Sequence, residues 1–452
     1  MAFIKFYGAA GEVTGSNHIF EGEHIKIMID CGFFQGVKTC DDKNIKPFPY
    51  DPTTIDVLFV THAHLDHIGR IPKLFNEGFK GKIYSTQPTR DIAQLMLEDA
   101  TKVIDREARA DNHEPLYGID ALEHTFKNWE VTPYNKEIIL KDDFRVCLRD
   151  AGHILGSAMI EITHHGKKVV FSGDLGSTSL LLPKTELLSG VDYLIMEAVY
   201  GDKTHDDFSN RNELLKEVIK DTIAHGGVLM IPAFSIERTQ DILFELNKMV
   251  EHRMIPQIPI FVDSPLGIKV TKIFEKSTSY FNEDTQGIIN GGDDIFKFPK
   301  LQFTERSKDS IAIKDVKAPK IIIAGSGMSN GGRILHHEKN YLSDPKNTLL
   351  IVGYQAVGTM GRALQQGIKN VKIFYEHVPV RAKIVTIQGY SAHKDVDELI
   401  NFVEGMSTTL KKICIVHAEP GPALFFSQRV HDYFNISTVI PEVGDVVEIV
   451  DM

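Results

Sequence analysis

The chain of 452 residues is long enough for two or three domain-sized units, and 42% hydrophobic with 25% charged residues is the composition of an ordinary globular protein. Its formal net charge of −11 argues against a protein that coats polyanions non-specifically. It does not exclude a nucleic-acid substrate, because bound cations and a local basic groove can hold phosphates on an acidic protein. No stretch approaches the roughly 18 uninterrupted apolar residues of a membrane span. The cysteines Cys31, Cys40, Cys147 and Cys414 show neither CxxC spacing nor a dense framework. The first residues read as a strand running into a glycine turn, without a charged and then apolar leader, so the expected compartment is the cytoplasm.

In chain order, an apolar strand over 25–29 stops at Asp30, and a second apolar run over 55–60 reads as a buried strand. It leads into His62-Ala63-His64-Leu65-Asp66-His67. Alternate side chains of an extended segment point the same way, so His62 and His64 can share one cation. A turn before the amphipathic stretch 68–75 would swing Asp66 and His67 towards a second. A lone His-x-His reads best as a polar surface turn; three imidazoles and one carboxylate in six residues suit zinc. A helical pattern covers 90–105. His153 lies near Gly152 and Gly156, where backbone can approach a site closely. The strand over 169–172 ends at Gly173-Asp174, and the two oxygens of Asp174 make it a natural bridge between cations. The strand over 193–196 ends at Glu197. The strands over 25–29, 169–172 and 193–196 each stop at an acid, a frequent position for catalytic acids in α/β proteins.

After Gly201-Asp202 the texture changes. A helix over 212–224, a strand over 227–232, a helix over 236–250, a strand over 258–263 and a helix from Ile268 predict a second, parallel-sheet domain with crossover helices. Residues 287–294 read as a loop, and 321–324 and 348–352 as buried strands. The run 325–333 precedes a helix-like segment over 334–339. Its amides, with the hydroxyls of Ser326 and Ser329, suit a phosphate, although a tight turn reads equally well. Arg238 and Arg333 could neutralise neighbouring phosphates or be surface charges, and 358–362 is a weaker case of the same kind. From about Val380 the first texture returns. No internal repeat or low-complexity tail is present, and histidines outside the motifs, His336 and His337 among them, read as surface or capping residues.

The series Asp30, His62/His64/Asp66/His67, His153 and Asp174 resembles the ligand-bearing motifs of the metallo-β-lactamase fold, an αββα sandwich with one or two metals between its sheets. Met196-Glu197-Ala198-Val199-Tyr200-Gly201-Asp202, Gly389-Tyr390-Ser391-Ala392-His393 and Ile415-Val416-His417-Ala418-Glu419 are similar to the three motifs of its β-CASP nuclease branch. The segment between Glu197 and His393 matches the inserted β-CASP domain in size and α/β texture, and 232–240 and 325–333 within it are similar to family signatures. The resemblance implies an α/β protein with a metallo-β-lactamase domain over 1–203 and 386–452 and a β-CASP domain over 204–385. It is nearest to bacterial and archaeal ribonucleases similar to the endonuclease subunit of pre-mRNA 3′-end processing. His417 favours RNA, since DNA-repair members tend to carry another residue there. Ala418 departs from the glycine usual in the family.

By this resemblance, one zinc ion is expected on His62, His64 and His153 and a second on Asp66, His67 and His417. Asp174 bridges them, and Asp30 hydrogen-bonds a ligand from behind. A metal-bound hydroxide would attack phosphorus in line. His393, its other ring nitrogen held by Glu197, would protonate the leaving oxygen, with Asp66 completing the catalytic set. The expected activity is zinc-dependent endonucleolytic hydrolysis of single-stranded RNA, entering between the domains, to 5′-phosphate and 3′-hydroxyl ends. RNA is the expected partner, no membrane is, and a homodimer stays open. A 5′→3′ exoribonuclease, a small-molecule thioesterase or lactamase, and an RNA-binding scaffold are the alternatives.

Overall fold

Short apolar runs that stop at polar residues form two sheets packed face to face in the computed structural model. It describes residues 2–35, 38–112, 114–205, 210–356, 358–387 and 389–450. Contacts divide the chain into two units, Met1–Thr204 with Ala392–Met452, and His205–Ser391.

Among the described residues of the first unit, one seven-stranded sheet runs in the order Val446–Ile449, Ala2–Phe6, His18–Glu21, Lys26–Ile29, Val57–Phe59, Lys82–Ser85, Trp129–Val131. The other runs Ser437–Val439, Lys412–Val416, Tyr193–Glu197, Lys167–Phe171, Ala158–His164, Arg145–Asp150, Ile138–Ile139. Alternation along the strands decides what lies between the sheets: Ile4, Phe6, Phe20, Ile27 and Phe59 from the first meet Leu148, Ile160, Ile162, Phe171 and Ile195 from the second. The intervening positions Met159, Val170, Leu194 and Met196 face outward and are covered by Leu399, Phe402 and Val403 of helix Val396–Glu404 and by Phe426 and Val430 of helix Pro420–Phe434. Burial on both faces explains why the strand Tyr193–Glu197 carries no charged residue before its terminal acid.

Helices Gln87–Asp111 and Ile119–Lys127 complete the αββα arrangement. The first is longer than its apolar pattern: Thr86 caps its start by accepting from Thr89 N, Pro88 fits the first turn, and Asn112 ends it in the left-handed region at φ 55°. The second escaped the sequence reading because Gly118 stands at its cap with no side-chain hydrogen bond, leaving no start signal. The expected turn at Asp66 and His67 is the one-turn helix Leu65–Ile68.

The second unit is built on an all-parallel sheet, in the order Leu301–Phe303, Ile260–Asp263, Lys320–Ala324, Val228–Pro232, Thr348–Ile351, Lys383–Thr386. Val228–Pro232 is buried along its whole length, as an interior parallel strand requires. Its helix begins at Arg238, two residues later than the pattern suggests, because residues up to Glu237 (φ 65°) form a turn. The loop expected over 287–294 is corrected: Asn282 caps a helix Glu283–Asn290, so Gly287 sits inside it and the chain leaves helical structure only at Gly291. Behind the sheet, Glu245 receives Arg211 Nε at 3.1 Å and the Tyr390 hydroxyl, while Arg211 also donates to Gly389 O at 3.0 Å. No helix of the described residues is long and apolar enough to cross a membrane.

Candidate metal centre

Asp30 follows the strand Lys26–Ile29 in the left-handed region, at φ 59°, with its carboxylate buried. Oδ1 accepts from Thr61 N at 2.8 Å; Oδ2 accepts from the Thr61 hydroxyl at 2.8 Å and the Ser16 hydroxyl at 3.2 Å and lies 2.7 Å from His67 Nδ1. Having given its proton to Asp30, the Thr61 hydroxyl can only accept from His62 Nδ1, 3.0 Å away. Both histidines therefore keep a proton on Nδ1 and turn Nε2 the other way. Thr61 and Ser16 were not singled out in the sequence, since nothing marks a single hydroxyl ahead of a histidine run.

The exposed lone pairs converge. His62 Nε2 lies 3.0 Å from His64 Nδ1 and 3.4 Å from Asp174 Oδ2. His153 Nε2 lies 3.4 Å from the same His64 nitrogen and 3.5 Å from the same Asp174 oxygen, and its Nδ1 is 3.4 Å from Ala392 O. On the other side of Asp174, Oδ1 faces His67 Nε2 at 3.3 Å, and the His417 ring stacks on His67 at 4.6 Å. Within each of two sets, His62–His64–His153–Asp174 and Asp66–His67–His417, the ligand atoms lie within 4.8 Å of one another. A Cβ on Gly176 would stand 1.7 Å from Gly152 O, so the two loops carrying Asp174 and His153 meet only because no side chain intervenes. The left-handed φ at the third motif belongs to His417 (47°) and Ala418 is buried against the core, so the extra methyl is accommodated without strain.

These residues fit a divalent cation. Burial holds His64 and His153 well below the ordinary histidine range and pushes His417 down to about 3, so their lone pairs stay open. Burial also opposes a charge on His67, but Asp174 and Asp30 outweigh it and hold its pKa well above the usual value. Two carboxylates around one imidazole favour positive charge there, carried by a proton on the ring or by a cation in its place. His67 Nε2, Asp174 Oδ1 and His417 Nε2 are buried and make no hydrogen bond among the described residues, which leaves them open to a metal. Buried and half-buried nitrogen and carboxylate ligands match the preferences of zinc.

Beside the cluster, Glu197 ends its strand with its carboxylate fully buried, accepting from Leu175 N at 2.7 Å and Val199 N at 3.4 Å. His393 Nδ1 lies 3.0 Å and 3.2 Å from the two Glu197 oxygens, and the His393 ring is 4.6 Å from that of His153. Burial disfavours charge on His393, yet Glu197 outweighs it and raises its pKa to about 9.

The candidate phosphate-binding residues of the second unit stand differently. Arg238 is buried and paired with Asp241 at 2.6 Å. Arg333 donates to Asp263 Oδ1 and Thr304 O, both at 2.7 Å, and to Glu305 O at 2.8 Å. Ser329 is buried and donates to Glu338, while the half-buried Ser326 hydroxyl accepts from Asn330 N at 3.2 Å. The charges visible in the sequence are thus spent on partners that lie far along the chain or one helical turn away.

Matches to known families agree with this geometry. A metallo-beta-lactamase superfamily domain matches residues 19–189, a Beta-Casp domain residues 239–364, and a Zn-dependent metallo-hydrolase RNA specificity domain residues 377–441. The chain is 36% identical to a ribonuclease of Thermus thermophilus, over 91% of this chain and 92% of that one. It is 31% identical to an RNase J-like protein of Methanocaldococcus jannaschii, over 99% and 100% of the two chains, and 30% identical to the transcription termination factor FttA of Methanosarcina mazei, over 96% and 70%. A crystal structure of a protein of unknown function from Enterococcus faecalis shares the fold with a TM-score of 0.60 over 99% of both chains at 12% identity. The chain belongs to the β-CASP ribonuclease family of the metallo-β-lactamase superfamily, the family its motifs resemble.

Glu338 gives a prediction on stability. Burial pushes its carboxyl up to about 8, and one of its oxygens makes no hydrogen bond among the described residues. Between the ordinary carboxyl range and about 8 the folded state binds the extra proton, so this group's contribution to stability falls as pH rises through that window. Glu338→Gln should remove the slope: the melting temperature of the variant, relative to the parent, should climb steadily from about pH 5 to pH 8. Parallel melting curves across that range would contradict it.

Proposed function

We propose that this chain is a zinc-dependent endoribonuclease that hydrolyses single-stranded RNA to 5′-phosphate and 3′-hydroxyl ends. The observation that carries the reading is His393 held by the buried Glu197 carboxylate at the edge of the histidine–aspartate cluster. A small-molecule hydrolase of the parent fold would have no need of that pair, which lies at the ends of the segment containing the Beta-Casp match.

Two zinc ions, held by His62, His64 and His153 and by Asp66, His67 and His417 with Asp174 serving both, would supply a water of lowered pKa and positive charge for the phosphoryl oxygens. The chain's own residues prepare that centre. Asp30 and Thr61 fix the tautomers of His62 and His67, and the Ala392 carbonyl does the same for His153. Glu197 accepts from His393 Nδ1, which keeps the ring protonated and presents the Nε2 proton. In-line attack by water expels the 3′-oxygen, a poor leaving group as a bare alkoxide, and His393 Nε2 hands it a proton as the bond to phosphorus breaks. The RNA's own 2′-hydroxyl has no part in this, so no cyclic phosphate forms.

Asp174→Ala should lower zinc content from two ions per chain, read by elemental analysis of the purified protein, because both sets depend on it. Full occupancy would remove Asp174 from the bridging position. His393→Ala should keep its metal and lose roughly 10²–10⁴ in rate, the usual contribution of a general acid. Loss of metal from a folded His393→Ala protein would make it a ligand instead. A circular single-stranded RNA tests the mode of cutting, since a circle has no end. It should be opened to a linear product with 5′-phosphate and 3′-hydroxyl termini. An intact circle beside a degraded linear control would favour an exonuclease, and 2′,3′-cyclic phosphate ends would refute the hydrolytic mechanism.

A further inference from the structure

In the second unit, the strands Val228–Pro232 and Thr348–Ile351 are neighbours, and their outgoing connections diverge. The first leads to Ile260–Asp263 on one side and the second to Lys383–Thr386 on the other, and the neighbouring pair Ile260–Asp263 and Lys320–Ala324 diverges in the same way. Ligands of open parallel sheets bind outside the carboxyl ends of the strands at such a point. The residues found there are Phe234 and Ser235, Ser264, Gly325 to Gly327, and Gly353 with the exposed Tyr354.

Phe234 is 37% exposed, yet it is fixed from below. A Cβ on Gly327 would stand 2.7 Å from its Cδ2, and one on Gly353 would stand 3.6 Å from its Cε2, so one edge of the ring rests directly on two stretches of bare backbone. The Gln355 amide ties these stretches together, donating to Gly327 O at 3.0 Å and Gly353 O at 3.2 Å. The Phe234 carbonyl is itself held by the Thr239 hydroxyl at 2.7 Å. Hydroxyls stand next to it: Ser235 Oγ and Ser264 Oγ are 3.4 Å apart, and a Cβ on Gly325 would meet them at 4.0 Å and 3.4 Å. The surroundings are glycine and serine rather than the well-packed apolar pocket of a protein–protein hot spot. The nearby guanidinium groups of Arg238 and Arg333 are already bound to Asp241 and Asp263.

A rigid aromatic ring among hydroxyls, without an unpaired guanidinium beside it, suits an unpaired base better than a phosphate cluster does. We infer that Phe234 is a stacking platform for one base of a single-stranded RNA, with the Ser235 and Ser264 hydroxyls meeting the sugar-phosphate of that nucleotide. This rests on the ribonuclease reading above and adds a subsite to it. Every base has a π-face, so the contact selects unpaired strands and tolerates any sequence. A base inside a duplex has both faces covered and cannot use it.

The test measures binding of a short single-stranded RNA carrying 2-aminopurine, by anisotropy and by fluorescence of the base. It uses the full chain with His393→Ala so that cutting is slow against the binding measurement. Adding Phe234→Ala should weaken binding by roughly 5- to 150-fold, the range for one lost stack, and abolish the quenching of 2-aminopurine. The slope of log affinity against log salt should stay unchanged, because no charge is lost. Phe234→Leu, which keeps apolar bulk on the glycines, should melt like the parent and bind like Phe234→Ala, whereas Phe234→Trp should restore both affinity and quenching. Undiminished affinity and quenching in Phe234→Leu would overturn the inference while leaving the ribonuclease reading intact. Failure of the His393→Ala parent to bind RNA, together with failure of the wild-type chain to cut it, would bring down the ribonuclease reading and this inference with it.

Discussion

The geometry of the histidine cluster depends on one buried carboxylate. Asp30 accepts from a backbone amide and two hydroxyls and pairs with an imidazole, and its pKa stays below the ordinary value although burial alone would raise it, because His67 outweighs that burial. A buried charge whose partners are removed costs about 3–5 kcal/mol, so each group around Asp30 is held in place by the cost of leaving it unpaired. The order passes outward through protons. Thr61 gives its only one to Asp30 and must accept from His62, and His67 must donate from Nδ1. Ring orientation and tautomer are therefore fixed by a residue that belongs to neither candidate ligand set.

Glu197 performs a related service for His393, but with backbone amides instead of hydroxyls as its other partners. The two carboxylates end strands in different sheets, so the centre is assembled from both layers of the sandwich. In the second unit the carboxylates Asp241, Glu245 and Asp263 instead hold cationic and tyrosyl groups of their own unit in place. That difference separates acids that prepare a site from acids that stabilise a domain.

The site was legible in the sequence wherever a function needs several groups close together in the chain. His62, His64, Asp66 and His67 announce themselves because the local backbone alone brings them together. His153, Asp174 and His417 are single residues on separate loops, and only the order of motifs made them readable. Thr61 was invisible because a hydroxyl before a histidine is ordinary. Arg238 and Arg333 were legible as charges, while their pairing with carboxylates was not: Asp263, which holds Arg333, is distant in sequence, and Asp241, one turn after Arg238, looked like any helical neighbour. Strands that end in an acid were easier than helices without a cap, while others such as Ala158–His164 were missed. An apolar run stopped by an acid is unmistakable, whereas the uncapped helix Ile119–Lys127 and the glycine-containing helix Glu283–Asn290 lack the usual punctuation.

The strand Val446–Ile449 pairs antiparallel with Ala2–Phe6, so the first unit closes its sheet with residues made at opposite times during synthesis. The second unit is contiguous, His205–Ser391, and has all its strands before the first unit has received His393 or His417. During synthesis the second unit is therefore complete while the histidine–aspartate cluster still lacks His417. A chain interrupted before His417 carries an incomplete centre and an open sheet edge where the last strand belongs. The order of the chain thus sets the order of assembly: the candidate ligand set that includes His417 is not complete until synthesis has passed the third motif.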